Sequence, residues 1–464
     1  VGALRAKRCH GGARVLKRGA RVSSREFAKF GKWMIEVAAL VAVLCVLGLA
    51  VFEQGTIAIS VGNAPSALAD GGSDHDALVT GMNYYVDGFT KNYGLPDRAA
   101  PIAKVYMDPA DKPTWGAVYT HYPPGANWMT GIGFYLFGPN HVPLYRIIPI
   151  TFSAICFLAS YLLLRRALGA LLAAASVFVL FRVPMTASMM HALYSHGYAT
   201  AVLVLQTSYV FSCFRRQGFL NLRQLALVFA MGWIQGWLGF DYAFVASLYP
   251  LALAALCLAS PVSKAGIVTT IAAGSGFTLA HGVHFAQVAL LRQSWVSAYS
   301  DFFDVAAFRS GAIQDPEMSA NTTLHILQTY LIDLLPRRGV GDWPALCIIG
   351  VGIVMPVAYM VWSRFSPSVR RSGVRGTRLL CGVGIALLVS MMWELVMQQH
   401  ALVAAHKFFL PRHLIFFLFI CILSSATVVY EIATGLWNRF FKGRVESCRS
   451  VRCGNETEMS CASQ

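Results

Sequence analysis

The sequence predicts an all-α integral membrane protein, with about ten transmembrane helices and two long extracytoplasmic loops that carry short interfacial helices. Three observations predict this class. Composition is the first: 56% of the residues are hydrophobic and only 13% are charged, with a mean hydropathy of +0.54, which excludes an ordinary soluble domain. The second is the recurrence of apolar runs close to the roughly 20 residues a helix needs to cross the bilayer core. The third is the placement of basic residues, which gather in the tails and in alternate connectors, as in an oriented polytopic chain.

Residues 1–32 form a basic tail with Arg5, Lys7, Arg8, Arg14, Lys17, Arg18, Arg21, Arg25, Lys29 and Lys32. Such a tail can bind RNA. Ahead of a polytopic chain it reads instead as the cytoplasmic anchor, and no nucleic-acid partner is expected. The membrane domain covers 33–438 and opens with a span over 33–52. About thirty residues precede that span and no clean small-x-small site follows it promptly, so it is not read as a cleaved signal peptide.

A first outer loop occupies 53–143. Within it, 77–89 suits a short amphipathic helix near the interface. Residues 127–137 are apolar and aromatic but too short to cross, which suits a re-entrant or interfacial helix. Spans are then expected at 144–164, 168–183, 197–214, 222–240, 242–259 and 265–291. A second outer loop, 292–343, precedes spans at 344–362, 379–397 and 414–432. A His-rich outer connector lies at 398–413, and 439–464 is a second cytoplasmic tail.

Orientation follows from the basic clusters. With the N-terminus inside, the inner connectors hold Arg165 and Arg166, then Arg215, Arg216 and Arg223, then Lys264, then Arg364, Arg370, Arg371, Arg375 and Arg378. The inner tail holds Arg439, Lys442 and Arg444. The reverse orientation puts all of these outside, so both termini are expected in the cytoplasm. The second outer loop opens with Trp295, Tyr299, Phe302, Phe303, Val305, Ala306 and Phe308 at helical spacing. That pattern fits a helix lying on the membrane surface or one packed against the first loop. No solenoid or inverted repeat is visible.

Cys45, Cys156, Cys213, Cys257, Cys347, Cys381 and Cys421 fall in or at the ends of spans, where they act as small apolar residues. Cys448, Cys453 and Cys461 fit no zinc spacing. The sequon Asn455-Glu456-Thr457 falls on the expected cytoplasmic side, where it is silent.

Acidic residues number 22 in 464, yet Asp70, Asp74, Asp76, Asp87, Asp97, Asp108 and Asp111 all fall in or beside the polar stretch 73–125. A reaction centre is expected there. Ser73 and Asp76 have the S-x-x-D spacing of a capping box. Capping does not account for two carboxylates flanking His75 just outside a membrane. The Asp74-x-Asp76 pattern can also offer oxygens to a divalent cation, the one cofactor the sequence admits; no metal site is assigned. His121-Tyr122-Pro123-Pro124-Gly125 reads as a turn into the next helix, with His121 and Tyr122 at the interface. In the third outer connector, His400, His406, Lys407, Arg412 and His413 crowd together. They can snorkel to lipid headgroups or bind a phosphate at the membrane surface. Asp241, His281, His284 and Glu394 sit at the outer ends of spans, where snorkelling and function both remain open. Gly232, Gly236 and Gly239 form a small-residue stripe suited to close helix packing. No P-loop, H-E-x-x-H or dinucleotide fingerprint occurs, which disfavours chemistry driven by a cytosolic nucleotide.

In this order, Asp74-His75-Asp76 with Tyr84-Tyr85, His121-Tyr122-Pro123-Pro124, Phe134 to Gly138, Tyr145 to Pro149 and the stretch 162–166 resemble the GT-C superfamily of polytopic glycosyltransferases. The likeness is to the dolichyl- or polyprenyl-phosphate-mannose-protein mannosyltransferase-like group, which includes the bacterial aminoarabinose transferases of lipid A. It covers about 33–260; beyond that only hydropathy and the basic outer connector fit. The acidic pair is Asp-His-Asp where the family more commonly has adjacent Asp-Glu, so Asp74 and Asp76 both stand as candidates for the base.

The resemblance implies transfer of a sugar from a polyprenyl-phosphate-linked donor to a lipid, glycan or protein acceptor on the outer face, in contact with membrane lipids. A bacterial inner-membrane location goes with it. Asp74 or Asp76 then deprotonates the acceptor, while His121, Tyr122, His400, His406, Lys407 and Arg412 meet the donor and its phosphate. The alternative is a transporter or lipid flippase, which calls for polar residues and broken helices near the midplane; here the charges crowd the outer edge. An assembly subunit without catalysis is a third reading.

Overall fold

In the computed structural model of the chain, residues 3–65, 71–97, 118–120, 122–258, 260–310, 343–365, 375–397 and 414–437 are described, without the side chains of 3–28, 71–72, 185, 308–309 and 394. The described residues are helical apart from turns and one isolated antiparallel bridge, Asp97 to Val118. Helix α1 runs Ala3–Val61 and contains the apolar span Lys29–Val61. The sequence places the end of this span at 52. The helix continues because Ile57, Ala58, Ile59 and Val61 extend the apolar run, and it stops at Gly62, whose φ of +63° is left-handed.

Two short helices follow. α2 spans Gly71–Asp87 and α3 spans Gly125–Phe137, and they pack against each other. Gly81 permits the approach, since a Cβ there would lie 2.7 Å from Thr130. Their shared core of Ala77, Leu78, Phe134 and Tyr145 also takes in Leu193, so the pair caps the bundle instead of standing apart from it.

A helical turn, Val142–Tyr145, leads into α4, Ile147–Leu168. Gly169 at φ +81° reverses the chain into the short α5, Ala170–Phe181, and Pro184 opens α6, Pro184–Met189. α7, Ser195–Gln217, ends on left-handed Gly218. α8, Leu222–Leu238, starts with a full capping box between Asn221 and Gln224. α9 is Ala243–Cys257, and α10 is Lys264–Arg292, capped by Ser263. Gln293 breaks the direction before α11, Trp295–Ser310. α12 (Trp343–Phe365), α13 (Gly376–Val396) and α14 (Leu414–Trp437) complete the described chain.

Seven described helical stretches are long and apolar enough to cross a membrane, and the protein is membrane-embedded on that ground: Lys29–Val61, Val142–Leu168, Ser195–Gln217, Lys264–Arg292, Trp343–Phe365, Gly376–Trp393 and Leu414–Trp437. The other three expected spans correspond to α5, α8 and α9, with 12, 17 and 15 residues. Gly169 bounds α5 at its start, and Gly239 ends α8.

α7 is the centre of the bundle, with 89% of its apolar window buried; α1, at 22%, lies on the periphery. α8 and α10 pack backbone to backbone. A Cβ on Gly232 would sit 2.3 Å from the Ala273 carbonyl oxygen, one on Gly236 2.6 Å from that of Phe277, and one on Gly276 2.0 Å from that of Phe229. The stripe read from sequence therefore holds for Gly232 and Gly236. Gly239 has left it and faces Ser195 and Tyr122.

The short turns sort the helix ends into two groups. Arg165, Arg166, Arg215, Arg216, Arg223, Lys264, Arg364, Arg375 and Arg378 lie at one end of their helices. There Arg215 Nη2 donates to Glu431 Oε1 at 2.6 Å, tying α7 to α14. The opposite end receives α2, α3 and the starts of α4, α7 and α9, together with most of the described carboxylates. α11 packs there through Ala298 and Phe302, while Trp295, Val296, Tyr299 and Phe303 stay exposed. The packing against the first loop read from its apolar pattern is present, through Leu95 and Val118.

Candidate functional site

At the acidic end, Asp74 and Arg146 form a pair in which both side chains have 0% exposure. Arg146 Nη2 donates to Asp74 Oδ2 at 2.5 Å and Nη1 to Oδ1 at 3.2 Å, a bidentate geometry. The same guanidinium donates to the carbonyls of His191 at 3.0 Å and Ala64 at 3.2 Å, and Leu193 N–H donates to Asp74 Oδ1 at 3.1 Å. One arginine thereby joins the chain after α1, the first turn of α2, the start of α4 and the loop before α7. α2 already begins at Gly71, so Ser73 lies inside its first turn and not ahead of the helix as the S-x-x-D spacing suggested. Its neighbour Asp74 is drawn inward to a partner 72 residues away. Both Asp74 oxygens accept from Arg146, and Oδ1 also from Leu193 N–H. Groups of three metal-ligating side chains are absent among the described residues.

His191 stands beside this pair, with its Nδ1 2.7 Å from Gln54 Oε1. Burial, then the charge of Arg146, pushes its pKa down to about 4 against the opposing pull of Asp74. In the unfolded chain it titrates near its ordinary value of about 6.5. Folding therefore favours the neutral ring. The contribution to stability is complete above about pH 6.5 and is lost as pH falls toward 4. His191→Gln is expected to flatten the pH dependence of thermal unfolding in that window; an unchanged slope would contradict the placement.

Asp76, two residues beyond Asp74, is half-buried on α2. Its carbonyl accepts from Thr80 Oγ1 at 2.8 Å. The chain after α2 makes a tight turn, with Asn92 and Tyr93 at positive φ, and Gly94 accepts from Tyr84 Oη at 2.8 Å and Trp128 Nε1 at 2.9 Å. Beside this turn lies the segment 118–120, with Tyr119 N–H donating to the Pro96 carbonyl at 2.8 Å.

Tyr122 comes next. Its hydroxyl donates to Asp241 Oδ1 at 2.9 Å, and its ring stacks on Phe240 at 4.5 Å and on Tyr119 at 5.8 Å. The other carboxylate oxygen, Asp241 Oδ2, lies 3.2 Å from His196 Nε2. Asp241 and His196 are 2% and 3% exposed. The break at Gly239 between α8 and α9 puts Asp241 opposite the first turn of α7, which carries His196. A carboxylate joined to an imidazole and a phenol can orient the ring and hold or pass a proton. Thr120 extends the set, donating from Oγ1 to Asp301 Oδ2 at 2.5 Å and accepting at its carbonyl from His284 Nε2 at 2.9 Å.

Of the residues read from sequence, Asp74, Asp76 and Tyr122 are thus placed at one end of the bundle. His121, His400, His406, Lys407 and Arg412 lie outside the described residues, as does the Glu394 side chain. Asp241, open between snorkelling and function in the sequence, is tied inward. Arg146, His191 and His196 carried no role in the sequence reading. The one local signal was an arginine at the start of an apolar span, where a lone charge needs a partner. The chain matches no family model, no curated protein and no solved structure.

Proposed function

We propose that the protein is a membrane glycosyltransferase that moves a sugar from a polyprenyl-phosphate-linked donor to an acceptor hydroxyl on the outer face. The observation that carries the reading is the consumption of Asp74 by Arg146. That pair holds the first turn of α2 against the bundle, and on this reading Asp76, half-buried two residues on, is the carboxylate for the chemistry. The acceptor oxygen attacks the anomeric carbon, the bond from that carbon to the phosphate oxygen breaks, and the phosphate leaves with the bonding pair. Asp76 receives the hydroxyl proton. His400, His406, Lys407 and Arg412 of the outer connector, with His121 and Tyr122, meet the departing phosphate.

On this reading α5, α8 and α9 complete ten crossings, and the basic helix ends face the cytoplasm. Both termini are then cytoplasmic and the membrane is a bacterial inner membrane. Supporting the reading over a flippase, most of the described carboxylates gather at one end instead of along a midplane path.

Donor binding tests it. The full-length protein in lipid nanodiscs should be stabilised against heat by a polyprenyl-phosphate hexose or pentose. Arg412→Ala should weaken that binding about tenfold or more, since a hydrogen bond to a charged group contributes about 1.5–3 kcal/mol, while leaving the ligand-free melting temperature unchanged. Equal binding by parent and variant would remove the connector from the site.

A further inference from the structure

We infer that α11 is an interfacial anchor, whose exposed aromatic side docks into the headgroup–acyl boundary of the lipid leaflet at the acidic end of the bundle. With 16 residues, α11 is too short to span a bilayer. It divides lengthwise into three sides. Ala298, Phe302 and Val305 recur at spacings of four and three and share the first. Ala298 is fully buried, and Phe302 meets His284 and Phe285 of α10 edge-on, each at 5.5 Å. Trp295, Tyr299 and Phe303, four apart, form the second side with Val296 beside them, and these four residues are 58–79% exposed. Tyr299 and Phe303 stack on each other at 6.1 Å. Ser297, Ser300 and Asp304 form the third side, exposed and polar, with Ser300 donating to Asp304 at 3.4 Å. A helix with one packed, one apolar and one polar side fits the edge of a bundle at a membrane surface, lying flat.

Position, residue type and area select lipid as the occupant. α10 is one of the membrane-crossing stretches, and only Gln293 and Ser294 separate it from α11. The aromatic side therefore starts where α10 leaves the apolar layer. Trp295 rests on half-buried Phe285 of α10 at 5.7 Å, and α10 exposes Leu279, Val283 and Leu290 along its own length. Trp and Tyr combine an apolar ring with a polar N–H or O–H, which suits the headgroup level. A second copy of the chain is the weaker fit. Aromatic side chains of about 200 Å² each, at this exposure and with Val296, offer roughly 450 Å², against about 800 Å² per partner in a standard protein interface. The polar side carries Asp304 and no cation among its described side chains, so apolar area, and not attraction to anionic lipid, holds the helix. α11 also grips the first loop. Asp301 accepts from Thr120 Oγ1 at 2.5 Å, and Leu95 and Val118 join Ala298 and Phe302 in one cluster. The anchor thus lies between the leaflet and the segment 118–120. None of this depends on the proposed glycosyl transfer.

Photo-cross-linking of the full-length protein in phosphatidylcholine nanodiscs tests the anchor. Benzoylphenylalanine replaces Tyr299, Phe303, Ser300 or Asp304, one at a time, and mass spectrometry identifies what each position captures. Phospholipid adducts are expected at 299 and 303 and not at 300 and 304. Capture of a second copy, or of another segment of the same chain, at 299 and 303 would overturn the anchor. So would no adduct at those two positions, or lipid adducts of equal yield at all four. Tryptophan fluorescence gives a second reading with α11 intact. Phosphatidylcholine brominated near the headgroup end of its acyl chains should quench an emission component of the parent that is missing from Trp295→Phe. A Trp295 component that these bromines leave unquenched would overturn the anchor as well.

Discussion

Arg146→Met is expected to cost about 3–5 kcal/mol of stability, because it leaves a carboxylate buried without its counter-charge. Asp74 and Arg146 are fully buried, and Arg146 also satisfies the carbonyls of His191 and Ala64. Methionine fills much of the volume, so the loss reports charge and hydrogen bonding more than a cavity. Asp74→Leu combined with Arg146→Met should recover most of the loss, since two apolar side chains in place of a buried pair are often close to neutral. Denaturant unfolding in a mild detergent gives the comparison. A single-variant loss under about 1 kcal/mol, the size of a surface pair, would contradict the buried placement.

Asp76→Asn is expected to lower the rate of sugar transfer by about 10²–10⁴-fold while leaving expression and melting temperature near the parent's, as loss of a general base does. Asparagine keeps the size and the helical position but cannot accept a proton. Asp74→Asn should behave in the opposite way. It removes the charge that Arg146 is built around, so stability falls and activity falls with it through the displaced first turn of α2. The pair therefore separates chemistry from scaffolding at two positions that the sequence alone left equivalent. If Asp76→Asn transferred sugar at the parental rate, the carboxylate of α2 would have no catalytic part.

Seven spans were legible because hydropathy is a local property: long apolar runs can be found without knowing what they touch. The close approach of α8 and α10 was also legible, since glycines at 232 and 236 share a helical face. The end of α1 was misplaced, because the polar pair Glu53 and Gln54 looks like a loop; Gln54 instead turns inward to His191. The S-x-x-D spacing at Ser73 pointed to a cap for the same kind of reason. A capping box is a local motif, whereas the partner of Asp74 lies 72 residues on. Tyr122 and Asp241 are 119 residues apart and meet only through the break at Gly239. Pairings of that separation leave no periodicity to read, and a buried arginine in a helix start is indistinguishable in sequence from a snorkelling one.

The central claim is the transfer itself, and its direct measurement is release of labelled sugar from a polyprenyl phosphate. Purified full-length protein in sealed vesicles of known orientation is given a panel of polyprenyl-phosphate hexoses and pentoses, one face at a time. The account predicts that at least one donor loses its label to an acceptor when supplied on the face carrying α2, α3 and α11, and that Asp76→Asn abolishes that loss. Retention of label on every donor at both faces, by a protein shown to be folded, would contradict it.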